Sequence, residues 1–288
     1  MDKHAYLIIA HQCDDTFRTL LKMLDDPRND IFIHMDKKNT LYEESYCSFV
    51  AKSKVIHTKR TEVTWGGYSQ INAELLLLEE AIKNGDYQYL HLLSGQDLPI
   101  KSQDYIHDYF KHSDIEFVGI MNDCGNIESR TTYYHLFQEF IGRNGGDGIV
   151  ALLNKLFLRS QKVLGIRRKI DREIKKGCNW FSITGKCAEY VIDNKGWIEK
   201  HFKNTFCCDE VFLQTLLFSS PYKDKINANV ENDSNISALR CIDWKRGRPY
   251  TFTIDDYDLL SKSKMLFARK FNSSVDEQIV RKIYSTFS

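Results

Sequence analysis

The sequence predicts an α/β fold built on a parallel sheet, and three observations carry that prediction. Short apolar runs of strand length alternate with amphipathic stretches of helical period over the first hundred residues. Turn and cap residues separate them. With 288 residues and 42% hydrophobic content, the chain can also bury one large core.

The elements follow in order. Residues 6–10 read as a buried strand. Asp14 and Asp15 open a helix to about Leu24, with Phe17, Leu20, Leu21 and Leu24 on one face, and Pro27 ends it. Residues 31–35 and 55–57 read as the next strands. Ser69 is expected to cap a helix in which Ile71, Leu75, Leu78 and Ile82 recur at helical spacing, with Gly85 beyond its end. Residues 87–93 form a strand that runs into Ser94-Gly95-Gln96-Asp97-Leu98-Pro99. Strand, helix, strand, helix, strand is the pattern of a parallel sheet covered by helices. Its ligands sit at the carboxyl ends of the strands. Ala10, His11, Asp36 and Asp97 stand at or just past such ends.

The second half is less regular. Residues 116–120 read as a strand. From Arg159 to Lys176 the chain is basic, with Arg159, Lys162, Arg167, Arg168, Lys169, Arg172, Lys175 and Lys176 against only Asp171 and Glu173. Residues 177–184 read as an aromatic strand opened by glycine, followed by a helix to about Asn194. Asp209 and Glu210 begin an apolar helix over 211–218, and an amphipathic helix starts near Asp276. One domain over 1–288 is expected, with a nucleotide-binding half to about residue 115 and an acceptor-binding, catalytic half from about 116.

Several classes are excluded or disfavoured. Lys and Arg total 40 against 39 Asp and Glu, so the strongly basic balance of a general nucleic-acid binder is missing. No apolar run approaches the ~20 residues of a membrane span. The first residues enter a strand with no room for a signal peptide, which reads as a cytoplasmic protein. The eight cysteines contain no CxxC pair, so neither zinc ligation nor a disulfide framework is expected. No GxGxxG or GxxxxGK[ST] follows a strand, which removes the usual dinucleotide fingerprint and the P-loop.

Individual residues admit two readings each. Asp36 can accept from a ribose or a uracil N–H, or can simply close a turn. Asp97 can face a ligand, or can make an Asx-type turn bond. Glu210 can serve as a general base, but an acid in a first helical turn also complements the dipole, and that reading is the stronger one on the residues alone. Arg248 and Lys270 suit a diphosphate, or are ordinary surface cations. Trp65, in Trp65-Gly66-Gly67-Tyr68, and Trp244 suit sugar rings, or pack as core aromatics. Asp256-Tyr257-Asp258 has Asp-x-Asp spacing and reads as a solvated loop or a helix start. No metal site is expected; two late cations would do the work of an ion.

Taken together, these segments resemble the core-2/I-branching β-1,6-N-acetylglucosaminyltransferases, a family that includes the peptide O-xylosyltransferases. The likeness runs in order through Ala10-His11, Ile33-His34-Met35-Asp36, Thr64 to Tyr68, Leu93 to Lys101, Gly177-Cys178-Asn179-Trp180-Phe181, Asp209-Glu210, Arg240 to Trp244 and Leu266 to Phe271. The resemblance implies a GT-A-like, Rossmann-type nucleotide-binding sheet with helices on both faces and a C-terminal acceptor-side region. It implies an inverting, metal-independent transferase, a UDP-sugar donor and a glycan acceptor. It places Ala10, His11 and Asp36 at the uridine, and Lys270 with Arg248 at the diphosphate. Glu210 becomes the catalytic base, and Trp65 and Asp97 join the donor side. Trp244, Glu128 and Arg130 fall on the acceptor side.

The animal members carry an anchor, a stem and disulfides. Their lack here suggests a bacterial relative that builds surface polysaccharide, with N-acetylglucosamine as the expected sugar. Xylose or another sugar, or an idle sugar-nucleotide or glycan-binding module, is the alternative. A lipid-linked oligosaccharide acceptor and peripheral contact with the inner face of a membrane through residues 159–176 are further expectations. A solvated helix face or loop is the competing reading of that segment.

Overall fold

The computed structural model describes residues 3–121, 127–145, 147–227 and 233–288; Cys124 lies outside them. The expected alternation is present. Strands β1 (His4–Ala10), β2 (Asn29–Met35), β3 (Lys54–His57) and β4 (Tyr89–Ser94) are parallel, and helices α1 (Asp15–Leu24) and α2 (Tyr68–Asn84) connect them. Asp14 caps α1 by accepting from the Phe17 N–H at 2.9 Å. The start of α2 differs from expectation. Gly67 stands at the cap position, and the carboxylate of Glu139 receives the Ser69 N–H (2.9 Å) and hydroxyl (2.7 Å). Tertiary structure therefore supplies the anionic cap that the local sequence lacks.

After β4 come β5 (Leu98–Pro99), α3 (Gln103–Phe110), β6 (Phe117–Val118), α4 (Ile127–Thr131), α5 (Gln138–Ile141) and α6 (Gly148–Val163). Next are β7 (Phe181–Thr184), α7 (Gly185–Asp193), α8 (Lys195–Phe202), a 3₁₀ turn (Cys208–Glu210) and α9 (Phe212–Phe218). The chain ends through α10 (Ser234–Ser237), β8 (Arg240–Ile242), α11 (Tyr257–Lys262), β9 (Phe267–Arg269) and α12 (Glu277–Phe287). The main sheet has the order β3-β2-β1-β4-β7-β6, with β7 antiparallel to β4 and to β6. A small sheet of order β5-β9-β8 hangs from the end of β4.

Side chains alternate across the main sheet. Tyr6, Ile8 and Ala10 join Phe17, Leu20 and Ile279 on one side, whereas Ala5 and Leu7 join Leu75, Leu78 and Phe212 on the other. Both faces of the sheet are thus covered by helices, which is why its strands read as unbroken apolar runs.

Other expected boundaries move for steric reasons. The strand over 177–184 shrinks to β7, because Gly177 presses on the chain at Gly119; a β-carbon there would sit 1.6 Å from the Gly119 carbonyl oxygen. The strand over 116–120 shrinks to β6, since Gly119 in turn abuts the Ser234 carbonyl. Of the two readings of Asp256-Tyr257-Asp258, the helix start holds, since α11 begins at Tyr257 and Asp256 is not solvated. It is buried, completes a capping box with Thr253 and pairs with Arg246 at 2.7 Å, while Asp258 sits in the exposed first turn of α11.

The core holds a polar cluster with no counterpart in the sequence reading. His4 stacks on His107 with centroids 4.0 Å apart, and His91 lies 3.1 Å from His4 across β1 and β4. Burial holds His4 down to about 3 and His107 to about 4, and lowers His91 well below the usual imidazole range. These rings are neutral in the folded protein. Seven described cysteines are free thiols, and among the described residues no helix is long and apolar enough to cross a membrane.

Candidate active site

The parallel strands deliver their ends to one edge. Ala10 is buried, and its carbonyl accepts the Asp36 N–H at 2.8 Å, which sets the ends of β1 and β2 side by side. Asp36 keeps only a small exposed fraction. Its Oδ1 accepts the Lys38 N–H at 3.0 Å and the Val63 N–H at 3.4 Å, and Arg60 clamps the loop through the Asp36, Asn39 and Met35 carbonyls. The turn reading of Asp36 is seen in the bonds of Oδ1. His11 is exposed at the lip. Partial burial first, and then the nearby Lys270 cation, lower its pKa, which brings the end of β9 beside the end of β1.

The turn after β4 is built for close approach. A β-carbon on Gly95 would meet the Ala10 β-carbon at 3.0 Å. Asp97 accepts from the Ser94 N–H (2.9 Å) and hydroxyl (2.7 Å), and its Oδ1 lies 3.6 Å from Arg269. It is 1% exposed. The carboxylate faces the interior, where it also offsets the buried Arg240. Of the two readings of Asp97, the structure therefore favours the turn.

Arg240 is fully enclosed. Its guanidinium donates to the carbonyls of Ala238, Leu92 and Phe181, knitting β8 to β4 and β7. Arg269 stacks on Trp180 at 4.1 Å. Lys270 follows and is half-buried; desolvation and then Arg269 lower its pKa. The Gln96 carbonyl accepts the Phe271 N–H at 2.9 Å, and the Lys270 carbonyl accepts from Phe252, so this cation is fixed by backbone on both sides. In the 243–250 loop, Arg246 is consumed by Asp243 and Asp256 and covers Tyr250. Arg248 and Trp244 remain exposed on the same loop.

Glu210 ends the 3₁₀ turn before α9, so the expected start of an apolar helix becomes a separate tight turn. Arg130 of α4 donates to its Oε2 at 2.7 Å, with both side chains partly open to solvent. The Glu210 carbonyl accepts the Gly177 N–H at 2.9 Å. Cys207 precedes the turn with φ +48°, in the left-handed region that is costly for a side chain with a β-carbon. Its N–H donates to the carbonyl of Gly66, itself at φ +83°. A β-carbon on Gly66 would lie 2.9 Å from the Cys207 sulfur, so glycine is required there. Trp65, adjacent, is half-exposed under Arg143 at 4.4 Å.

Asp209 is buried beside Glu210 and receives the Gln70 amide at 3.3 Å. Burial, followed by the neighbouring Glu210 charge, pushes its carboxyl up to about 7. Glu74, one turn along α2 from Gln70, is buried and raised well above the carboxylate range by desolvation and then by Asp209. The loop that carries Glu210 thus rests on weakly charged acids. The Cys178 thiol feels both Arg240 and Glu210, which puts it between the small-sheet cations and the Glu210 loop.

The structure brings His11, Asp36 and Lys270 together at one edge, and Glu210 with Arg130 and the Trp65 loop at another. Glu128 instead is exposed, 3.9 Å from Arg167. Sequence reasoning missed Gln70, Glu74, Arg143 and Arg60, none of which has a local spacing signal. The basic segment is partly structural. Arg168 donates to the His201 and Lys203 carbonyls, Arg172 stacks on Trp197, and Lys175 pairs with Glu173.

A mixed α/β sheet with cations and carboxylates gathered at its strand ends defines a nucleotide-binding type of architecture. The model of the core-2/I-branching enzymes matches residues 4–265, and the protein belongs to that family. A xylosyltransferase of Ciona intestinalis is 22% identical over 96% of this chain and 33% of its own length. A human N-acetyllactosaminide β-1,6-N-acetylglucosaminyl-transferase is 25% identical over 83% of this chain and 58% of its own. The Arabidopsis thaliana β-glucuronosyltransferase GlcAT14B is 25% identical over 98% and 65%. The chain spans about a third to two thirds of the length of these relatives. Among solved structures, Staphylococcus aureus TarS 1–349 aligns with a TM-score of 0.29 at 12% identity over 82% of this chain and 78% of that one, a likeness too distant to carry weight.

Proposed function

We propose that the protein is an inverting, metal-independent glycosyltransferase that moves N-acetylglucosamine from UDP to a carbohydrate hydroxyl in building a bacterial surface polysaccharide. The observation that carries this reading is the grouping of a half-buried Lys270 with His11 at the strand ends, set apart from a solvent-reaching Glu210 braced by Arg130. The names of the relatives support it, since each is a sugar transferase.

In the proposed step the acceptor oxygen attacks the anomeric carbon from the face opposite UDP. The bond from that carbon to the diphosphate oxygen breaks, and its electron pair leaves with UDP. Glu210 takes the acceptor proton. Lys270 and Arg248 stabilise the charge that grows on the leaving group, an effect worth on the order of 10²–10³ in rate for a single well-placed donor. His11 and Asp36 flank the uridine, Trp65 borders the donor side, and Trp244 offers a face to the acceptor ring.

A panel of UDP-sugars read by thermal shift and calorimetry tests the reading. Tight binding of UDP-N-acetylglucosamine in the presence of chelator is expected. Binding that appears only with manganese would overturn the metal-free site. Preference for another UDP-sugar would replace the donor while leaving the mechanism.

A further inference from the structure

Helix α6 is built inside out. Its buried face carries Asn154 and Gln161 with Ala151, and Gln161 is spent on the backbone of Tyr134, accepting its N–H at 2.8 Å and donating to its carbonyl at 2.9 Å. Its outer face is apolar. Ile149, Leu152, Leu153, Leu156 and Val163 are 76, 57, 45, 54 and 81% exposed. Their spacing (i, i+3, i+4, i+7, i+14) is a single helical stripe turned to solvent. Phe140, 80% exposed at the end of neighbouring α5, extends the patch, and Leu164 continues it. A contiguous apolar surface of this kind marks an interaction site in a folded protein.

Charge selects the occupant. Lys155, Arg159 and Lys162 recur at i, i+4 and i+7 along one flank of the stripe, and Arg167 and Lys169 follow beyond the helix. All five are exposed. Residues 148–170 contain no Asp or Glu. Among the described residues only weak contacts engage the side chains of these cations: Lys162 lies over Tyr133 at 5.6 Å and Arg167 is 3.9 Å from Glu128. A second copy of the chain would bring the same unopposed cations against this surface. An anionic bilayer supplies both an apolar layer and a negative headgroup plane, and lysine and arginine stems reach from one to the other.

We propose that α6 is an interfacial membrane helix, lying flat in the surface of an anionic bilayer with its Ile149–Leu156–Val163 stripe among the acyl chains. Its 16 residues make it about 24 Å long, enough for an in-plane contact. Helix α5 links this surface to the candidate site, since Glu139 caps α2 and the Glu139 carbonyl accepts the Thr64 hydroxyl beside Trp65. Docking is a property of the surface and requires no turnover, so it stands or falls separately from the transfer reaction.

Co-sedimentation of the full chain with vesicles decides it. Binding is expected to phosphatidylcholine vesicles containing about 30% phosphatidylglycerol, weaker with pure phosphatidylcholine, and falling as salt rises. Leu152→Glu with Leu156→Glu should lower the partition coefficient at least ~10-fold. Lys155→Gln with Arg159→Gln and Lys162→Gln should flatten the salt dependence. UDP titration and thermal melting serve as folding controls, since none of these residues belongs to the candidate site. Wild-type protein left in the supernatant with anionic vesicles overturns the proposal. So does unchanged binding by the leucine variant, or a wild-type dimer that the leucine variant dissociates while neither sediments with lipid.

Discussion

Two acid–arginine pairs of similar chemistry sit in contrasting surroundings in this molecule. Asp97 and Arg269 lie 3.6 Å apart with side chains 1 and 14% exposed, beneath the turn that joins the two sheets. Glu210 and Arg130 lie 2.7 Å apart with side chains 28 and 20% exposed, on a 3₁₀ turn and on α4. In the interior every lone pair must be matched, so Asp97 is committed to Ser94, Arg269 and the field of Arg240. At the surface Arg130 holds one oxygen of Glu210, and among the described residues no other side chain is bonded to that carboxylate. Burial thus turns one pair into framework and leaves the other within reach of solvent.

That contrast can be broken. Glu210→Gln should cut turnover on the order of 10²–10⁴-fold while UDP-sugar affinity and melting temperature stay close to wild type. Retained turnover would remove Glu210 from the mechanism. Asp97→Asn should do the reverse, costing roughly 3–5 kcal/mol of stability by leaving Arg269 and Arg240 without their counter-charge, as measured by urea unfolding. A fully stable Asp97→Asn protein would mean that the two buried arginines are neutralised elsewhere.

Acid should strike the interior through its buried histidines. His4 titrates near 6.5 when unfolded and near 3 when folded, so between those values the unfolded chain binds more protons. Stability is then full above about pH 6.5 and falls as pH drops, by about 2 kcal/mol at pH 5 for His4 alone. Asp209 and Glu74 oppose this, because a raised folded pKa favours the protonated folded state, from about 7 down toward 3.8 for Asp209. Melting curves between pH 7 and 5 should still fall, since His91 and His107 add to the effect of His4. The smallest effect is expected from Asp209→Asn. A carboxyl already pushed up to about 7 loses little when made an amide, so turnover at pH 6 should change less than ~3-fold, in contrast to Glu210→Gln. A large loss would assign the proton-accepting role to the Asp209–Glu210 pair as a unit.

The parallel half was legible because its signals are local. The strands are buried on both faces and α1 has a capped, one-sided pattern, so apolar runs and Asp14 sufficed. The small sheet was not legible, since strands of two or three residues carry no alternation. Nor was α6, whose apolar stripe is helical in period but points outward. Histidines in the middle of apolar strands, as in Ala5-Tyr6 after His4 and Leu90-His91-Leu92, were the available clue to the buried cluster and went unused. Roles at the site depended on resemblance. Residue by residue, Glu210 looked like an ordinary first-turn acid, and only the fold reveals that Arg130, distant in sequence, faces it.

The position of Lys270 beside His11 has a consequence for synthesis. The first strand is made well before the cation opposite it, which follows every strand of the main sheet in the chain. β9 must also slot between β5 and β8 before Lys270 is fixed. A nascent chain can therefore assemble its parallel sheet while Lys270 is still unmade. A fragment stopped at residue 265 would keep the family's matched span and lack that lysine. The sheet comes first and the cation that faces it comes later, so folding of the framework does not by itself complete this edge.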